Sequence, residues 1–482
     1  MYRGVIRDSL VYGVASLLTR GLAILLLPIY TRVLSTSEYG AYDLIVSLGG
    51  LANVTVALEV TQGYARLQAD ANEERRKELG STALLFVLVM YSAFLSLCLY
   101  FDVTLTRLLL GDTEFVSAFR WGMLFVTANG IYMFMLNQLR WDLKSKQYAL
   151  ASLLYALTTL LVSFFLCLVM EYGLTGVVIA QFSAAVIGAL CCLFFSYGNY
   201  LAGRSLGLLK GMLRFSIPLV PASLAVFINL YASRIALKHF SSLDDVGLYA
   251  IASRLGGASL LMVVGVQAAL TPLIYRQYQA PETPGRIATL FHGFLAIALP
   301  GCLVLSVFAE ELIAIFSTHE FHKAAPLVSI LAPAMLASQL YVFAPGIAIR
   351  KKTHWQLLVT IAAAVVSIAG NLILVPLYGA YGAAITLVLS TAAFLVIWVL
   401  FSQSFYHVPF QWGRVLGCLG VYALLAFWGA RVDSGEWGAI AVMGVKLLLI
   451  LGMIAAVLVC GFIDKKYLGI LIRKVRRFTS EK

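Results

Sequence analysis

Residues 39–50 read YGAYDLIVSLGG, and residues 246–257 read VGLYAIASRLGG. Gly40, Tyr42, Leu48, Gly49 and Gly50 stand against Gly247, Tyr249, Leu255, Gly256 and Gly257, about 207 residues further on. A second echo keeps nearly the same offset: Tyr172, Gly173 and Gly176 in EYGLTG match Tyr378, Gly379 and Gly382 in LYGAYG. Two echoes in one register predict a duplicated unit. Both lie among long apolar runs, so the unit is a membrane bundle of six spans. Duplicated membrane bundles are mostly transporters with a central site between the halves.

Composition agrees with that reading. The 482-residue chain is 61% hydrophobic, with a mean hydropathy of +0.90. Such a chain is an all-α polytopic membrane protein. About fourteen spans are expected, roughly at 9–33, 40–64, 80–100, 115–138, 148–170, 174–197, 213–237, 246–275, 287–308, 324–349, 355–376, 380–402, 413–430 and 437–462. Residues 1–205 then form an N-lobe of six spans and 206–410 a C-lobe of six. Residues 411–462 add spans thirteen and fourteen, and 463–482 form a basic tail. An even number of spans makes the two repeats parallel, with the pseudo-twofold axis along the membrane normal.

The net charge of +12 invites a nucleic-acid partner, and topology removes it. With the N-terminus inside, the inner segments hold about 25 Lys and Arg and the outer ones about four, a strong positive-inside bias. Both termini are therefore expected in the cytoplasm, with the tail against anionic headgroups. The seven cysteines all fall within expected spans and show no metal spacing. They read as small apolar fillers, and no cofactor is expected. The N-terminal MYRGVIRDSL resembles no cleaved signal.

Short loops exclude much chemistry. There is no GxxxxGK[ST] loop for ATP. A polysaccharide polymerase or ligase needs a large outer catalytic loop, and none is present. Asp244-Asp245 precedes span eight and reads as a helix cap. In His319-Glu320-Phe321-His322 the histidines are too close together for the i, i+4 zinc pair.

Charge inside a span is the sharpest site signal, because a central cation costs about 2.5–3.5 kcal/mol on insertion scales. Arg20 lies mid-span one, on a stripe with Ser9, Gly13 and Ser16. Arg254 lies in span eight beside Gly256-Gly257, and Lys446 in span fourteen. Arg32, Arg120 and Arg234 stand nearer the outer ends, where they can snorkel. The anions are Asp43 and Glu59 in span two, either of which could neutralise Arg20 or carry protons. The excess of cations suggests a positive cavity for an anionic substrate. Among polar residues marking the same interior are Asn53, Gln181, Gln267 and Asn371, the last a candidate for ion coupling; any one of them is equally interhelical glue. Pro218 and Pro221 make span seven the best hinge candidate.

At this point the chain resembles a known family. LLPIYTRVLSTSEYGAYDL (26–44), LRFSIPLVPASL (213–224), DDVGLYAIASRLG (244–256) and AIFSTHEFHKAAPLVSILAP (314–333) are similar to the Wzx-type polysaccharide-transporter flippases. These share a superfamily with the lipid II flippase MurJ and the MATE exporters. The resemblance implies two lobes rocking around a cavity in the bacterial inner membrane. It implies an undecaprenyl-pyrophosphate-linked oligosaccharide, of O-antigen type, as substrate. Polysaccharide polymerase or assembly proteins would be candidate partners. Arg20 and Arg254 suit a pyrophosphate, which Arg grips bidentately. Two features depart from relatives. Ser233-Arg234 replaces a common Asp-Arg, and span two offers Asp43 and Glu59 where lipid II flippases use an Arg. The main rival is a MATE-like ion-coupled exporter, which predicts twelve spans and an acidic cavity.

Overall fold

The computed structural model describes residues 24–263, 277–350, 352–431 and 439–462, with residues 11, 13, 18, 19, 21, 22, 266, 267, 270 and 274. Arg20, Ser9, Ser16 and the basic tail lie outside the described residues.

Among the described residues, ten helices are long and apolar enough to cross a bilayer. An eleventh counts if Thr36–Thr55 and Val60–Gln68, bent by 46°, form one span. The expected fourteen differ from this for physical reasons. Much of span one lies outside the described residues, and its described part includes the helix Leu27–Val33. Expected spans eleven and twelve are two helices within Thr353–Phe405 that meet at the non-helical Gly379 (φ 53°, ψ −129°), so the stretch enters the count of ten once. At 1.5 Å per residue each half is about 39 Å long, enough to cross a hydrocarbon core on its own. Expected span four, Val116–Trp141, is long enough at 26 residues but is not among the apolar ones. It carries Arg120, Asn129, Asn137 and Gln138. Its neighbours are Gly173–Ser196, Glu73–Tyr100 and Thr36–Thr55. A helix enclosed by other helices needs no lipid-facing apolar surface.

The chain forms two compact units. The first comprises Met1–Ala250, Ile315–Phe321 and Ser367–Thr386. Its helices are joined by buried polar contacts: Gln181 Nε2 donates to Tyr42 Oη (2.9 Å), Tyr155 Oη to Gln181 Oε1 (3.1 Å), and Tyr91 Oη to Asn53 Oδ1 (2.9 Å). Gln181 and Asn53 thus act as the expected glue. The second unit comprises Ile251–Ala314, His322–Val366 and Leu387–Lys482. Its core surrounds Thr283–Val307, where Phe291, Leu295 and Cys302 meet Val415, Tyr422 and Met453 from the last two helices. Tyr422 Oη lies 2.8 Å from Ser306 Oγ. Residues 206–250 pack with the first unit. The seven cysteines are free thiols.

The second sequence echo repeats a backbone conformation. Gly173 and Gly379, equivalent in the two repeats, both have φ +53°. Only glycine takes that region without strain, and each opens the turn into its repeat's last helix.

Candidate functional site

Two helix starts carry the site geometry. Ser35 Oγ accepts from the Glu38 N–H (3.2 Å), and Glu38 Oε2 accepts from the Ser35 N–H (2.9 Å). This capping box starts Thr36–Thr55. The helix Leu243–Gly256 repeats it in part, since the Asp245 N–H donates to Ser242 Oγ at 3.1 Å. Ser242 is thus the cap of span eight, and Asp244 and Asp245 are acids in its first turn. A Cβ on Gly173 would lie 3.8 Å from Glu38 Oε1, and one on Gly379 would lie 2.9 Å from Asp245 Oδ2. Each helix start therefore faces the left-handed turn of its own repeat.

The two starts also meet each other. A Cβ on Gly40 would run into the carbonyl oxygen of Leu243; one on Gly247 would run into that of Thr36. Thr36 and Leu243 stand at the same 207-residue offset as the glycines. The contact is reciprocal, as a twofold axis between two like helices requires. Glycine is needed here for close backbone approach. Thr36 Oγ1 donates to the Asp244 carboxylate across it.

The structure brings several of the expected cations onto acids. Arg234 Nε donates to Asp43 Oδ2 at 2.6 Å, with side chains 13% and 9% exposed. The Arg234 guanidinium also donates to Leu230 O (3.0 Å) and lies 5.0 Å from the Tyr231 ring and 5.5 Å from the Tyr249 ring. Asp43 is thus matched to Arg234. Arg120 Nε donates to Asp102 Oδ2 at 2.6 Å. That hydrogen bond holds the Asp102 carboxyl below its ordinary pKa. Lys446 is 2% exposed, its Nζ 2.5 Å from Glu311 Oε1 and 5.6 Å from the Phe308 ring. Three of the six expected cations thus sit on carboxylates, two of them on Asp102 and Glu311 rather than on the acids of span two, so the excess is smaller than expected. Arg32 is exposed in the last turn of Leu27–Val33. Arg254 is half-buried in the last turn of Leu243–Gly256.

Removing one partner of the Lys446 pair has a defined cost. Glu311→Ala should lower stability by about 2 kcal/mol, below the usual buried-pair range because Glu311 keeps partial solvent access. Glu311→Leu with Lys446→Met should recover most of it. Thermal unfolding in detergent reads both, and equal losses for the single and double variants would contradict the pairing.

The remaining expected residues fall in two special settings. Glu59 is half-buried at the break between Thr36–Thr55 and Val60–Gln68. Leu58 (φ 49°) and Glu59 (φ 55°) are both left-handed there. Consecutive non-glycine residues in that region cost energy that the surroundings must hold, a pattern that clusters at functional sites. Asn371 is 2% exposed; its Nδ2 donates to Ser367 O at 2.7 Å, and its Oδ1 has no partner among the described residues. Pro218 lies in the short 3-10 turn Ile217–Leu219 and Pro221 in the first turn of Val220–Phe240. The helical path of span seven is thus re-started at the prolines, where a missing N–H is tolerated.

Sequence reasoning missed the paired caps and the partner of Lys446. The caps were legible, since Ser35 with Glu38 and Ser242 with Asp245 follow the offset of the glycines.

Residues 5–277 match the model of a family described as polysaccharide biosynthesis protein. The chain belongs to that family. No curated protein matches it in sequence. In structure it is similar to an inward-facing multidrug-resistance MATE family transporter of the MOP superfamily. The TM-score is 0.68 at 14% identity, over 80% of this chain and 93% of that one. It is similar to the lipid II flippase MurJ in an inward closed conformation, with TM-score 0.66 at 14% identity, over 92% of this chain and 98% of that one. A MOP superfamily transporter from Pyrococcus furiosus, described by the reverse polarity of its binding pocket, gives TM-score 0.59 at 14% identity, over 83% and 95%. The polysaccharide-biosynthesis member is thus a multi-pass membrane protein with the fold of these transporters.

Proposed function

We propose that the chain is a flippase. It moves an undecaprenyl-pyrophosphate-linked oligosaccharide from the cytoplasmic to the outer leaflet of the bacterial inner membrane by alternating access. Family membership carries this reading, because it joins polysaccharide biosynthesis to a fold shared with a lipid II flippase. The reciprocal contact of Gly40 and Gly247 supports two rocking lobes, each contributing one helix to an outer closure. With both termini cytoplasmic, that contact lies at the outer ends of spans two and eight.

The anionic head would be held by Arg20 and Arg254, with the prenyl chain left in the bilayer. Arg234 and Lys446 instead support the frame, because acids neutralise them. An inside-negative potential would assist outward movement of the pyrophosphate, at about 2.3 kcal/mol per charge per 100 mV. If protons also couple, Glu59 at the helix break is a better carrier than Asp43, whose charge is committed to Arg234.

The test is leaflet exchange of a fluorescent prenyl-pyrophosphate oligosaccharide in liposomes. Arg20→Ala and Arg254→Ala should each slow it at least tenfold with insertion unchanged, about the loss of one charge-assisted contact. Unchanged exchange in both would move the head-group site elsewhere. The similarity to a multidrug MATE transporter favours a second reading, export of cationic small molecules. It requires an acidic cavity, and Asp43 is already occupied by Arg234.

A further inference from the structure

We infer that a cavity in the first unit, beside Arg66 and Arg75, binds the phosphate of an anionic phospholipid. The cavity holds about 330 Å³, and its lining combines Arg66, Asp70 and Arg75 with the apolar Leu67, Leu79, Leu208 and Phe215. The walls are fixed by packing. The helix Leu206–Ser216 lies so close to Val60–Gln68 that a Cβ on Gly63 would meet the backbone of Met212. The Arg75 N–H donates to the Asn72 cap (3.0 Å), and Arg76 Nε to Gln68 O (3.3 Å), which tie down the turn between helices.

Two guanidiniums in a cavity with an otherwise largely apolar lining suit a ligand with a phosphate joined to an aliphatic chain. Leu206 and Phe215, at opposite ends of the same short helix, are both exposed, which fits a helix lying at the headgroup level. The volume admits a small headgroup and is too small for an oligosaccharide. A free phosphate would satisfy the cations and leave the apolar lining unused. Asp70 lies 2.6 Å from Arg66, the two side chains being 76% and 55% exposed. This carboxylate opposes an anion and occupies one cation, so its removal has a predictable sign. The site is independent of the flippase reading, since no translocated substrate enters the argument.

The experiment titrates short-chain phosphatidylglycerol into the detergent-purified full chain and follows bound lipid by native mass spectrometry. Phosphatidylcholine of equal chain length and inorganic phosphate are the comparisons. Phosphatidylglycerol is expected to bind at least tenfold more tightly than phosphatidylcholine, and phosphate at the same concentration to displace little of it. Arg66→Gln with Arg75→Gln should weaken binding about thirtyfold, roughly fivefold per cation and slightly more for the pair. Asp70→Asn should tighten it about fivefold, a gain that misfolding does not produce. Equal binding of the two lipids would overturn the inference, as would wild-type affinity in the double arginine variant or weaker binding in Asp70→Asn. Full displacement by inorganic phosphate would overturn the lipid assignment.

Discussion

Leucine in place of Gly40 is expected to drive the starts of Thr36–Thr55 and Leu243–Gly256 apart. The obstacle is the carbonyl oxygen of Leu243 and the amide of Gly247, which cannot rotate away as a side chain can. Overpacking costs about 1–3 kcal/mol where neighbours give way, and a backbone obstacle belongs at the upper end. The population of the contact should fall by about 100-fold. Crosslinking between Thr36→Cys and Asp244→Cys, with the native cysteines replaced, reads that population. Gly247→Leu should act alike, because the contact is reciprocal. Gly49→Ala is the control: its Cβ would meet only a Val126 methyl at 3.5 Å, an ordinary contact, and crosslinking should be unchanged. Equal crosslinking in all three variants would show that the glycines do not set the closure.

Asp43→Ala should be the most destabilising single loss of charge in the first unit. It leaves the Arg234 guanidinium, 13% exposed, without its carboxylate. Breaking a buried pair from one side costs about 3–5 kcal/mol, whereas removing both charges is near neutral. Thermal unfolding should therefore drop by several degrees in Asp43→Ala and recover in Asp43→Asn with Arg234→Gln. The double variant also separates support from proton carriage. It should keep leaflet exchange if Asp43 only holds Arg234, and lose exchange while staying folded if Asp43 carries protons.

The fold was legible where backbone geometry dictates residue type. Gly40 and Gly247 recur because two backbones meet there, and Gly173 and Gly379 because both turns need φ +53°. A repeat of glycines is thus a repeat of conformations, and it survives when the packing side chains have diverged. The charges were legible only as a list of candidates. Arg234 finds its acid 191 residues away and Lys446 finds its acid 135 residues away, on other helices, where one helix's periodicity gives no sign of it. The bend at Leu58–Glu59 left no mark either, since no Gly or Pro stands there. Left-handed geometry at such residues is imposed by tertiary packing. The count of spans was blurred by Val116–Trp141, where Arg120, Asn129, Asn137 and Gln138 lower the hydropathy of a helix otherwise long enough to span.

The most direct test of the flippase proposal is leaflet exchange by the wild-type chain in liposomes under an imposed inside-negative potential. A prenyl-pyrophosphate oligosaccharide and a cationic drug would be compared in the same vesicles. The account predicts exchange of the oligosaccharide well above protein-free vesicles, faster with the potential, and no transport of the drug. Transport of the drug with no exchange of any prenyl-linked glycan would contradict it and establish the exporter reading.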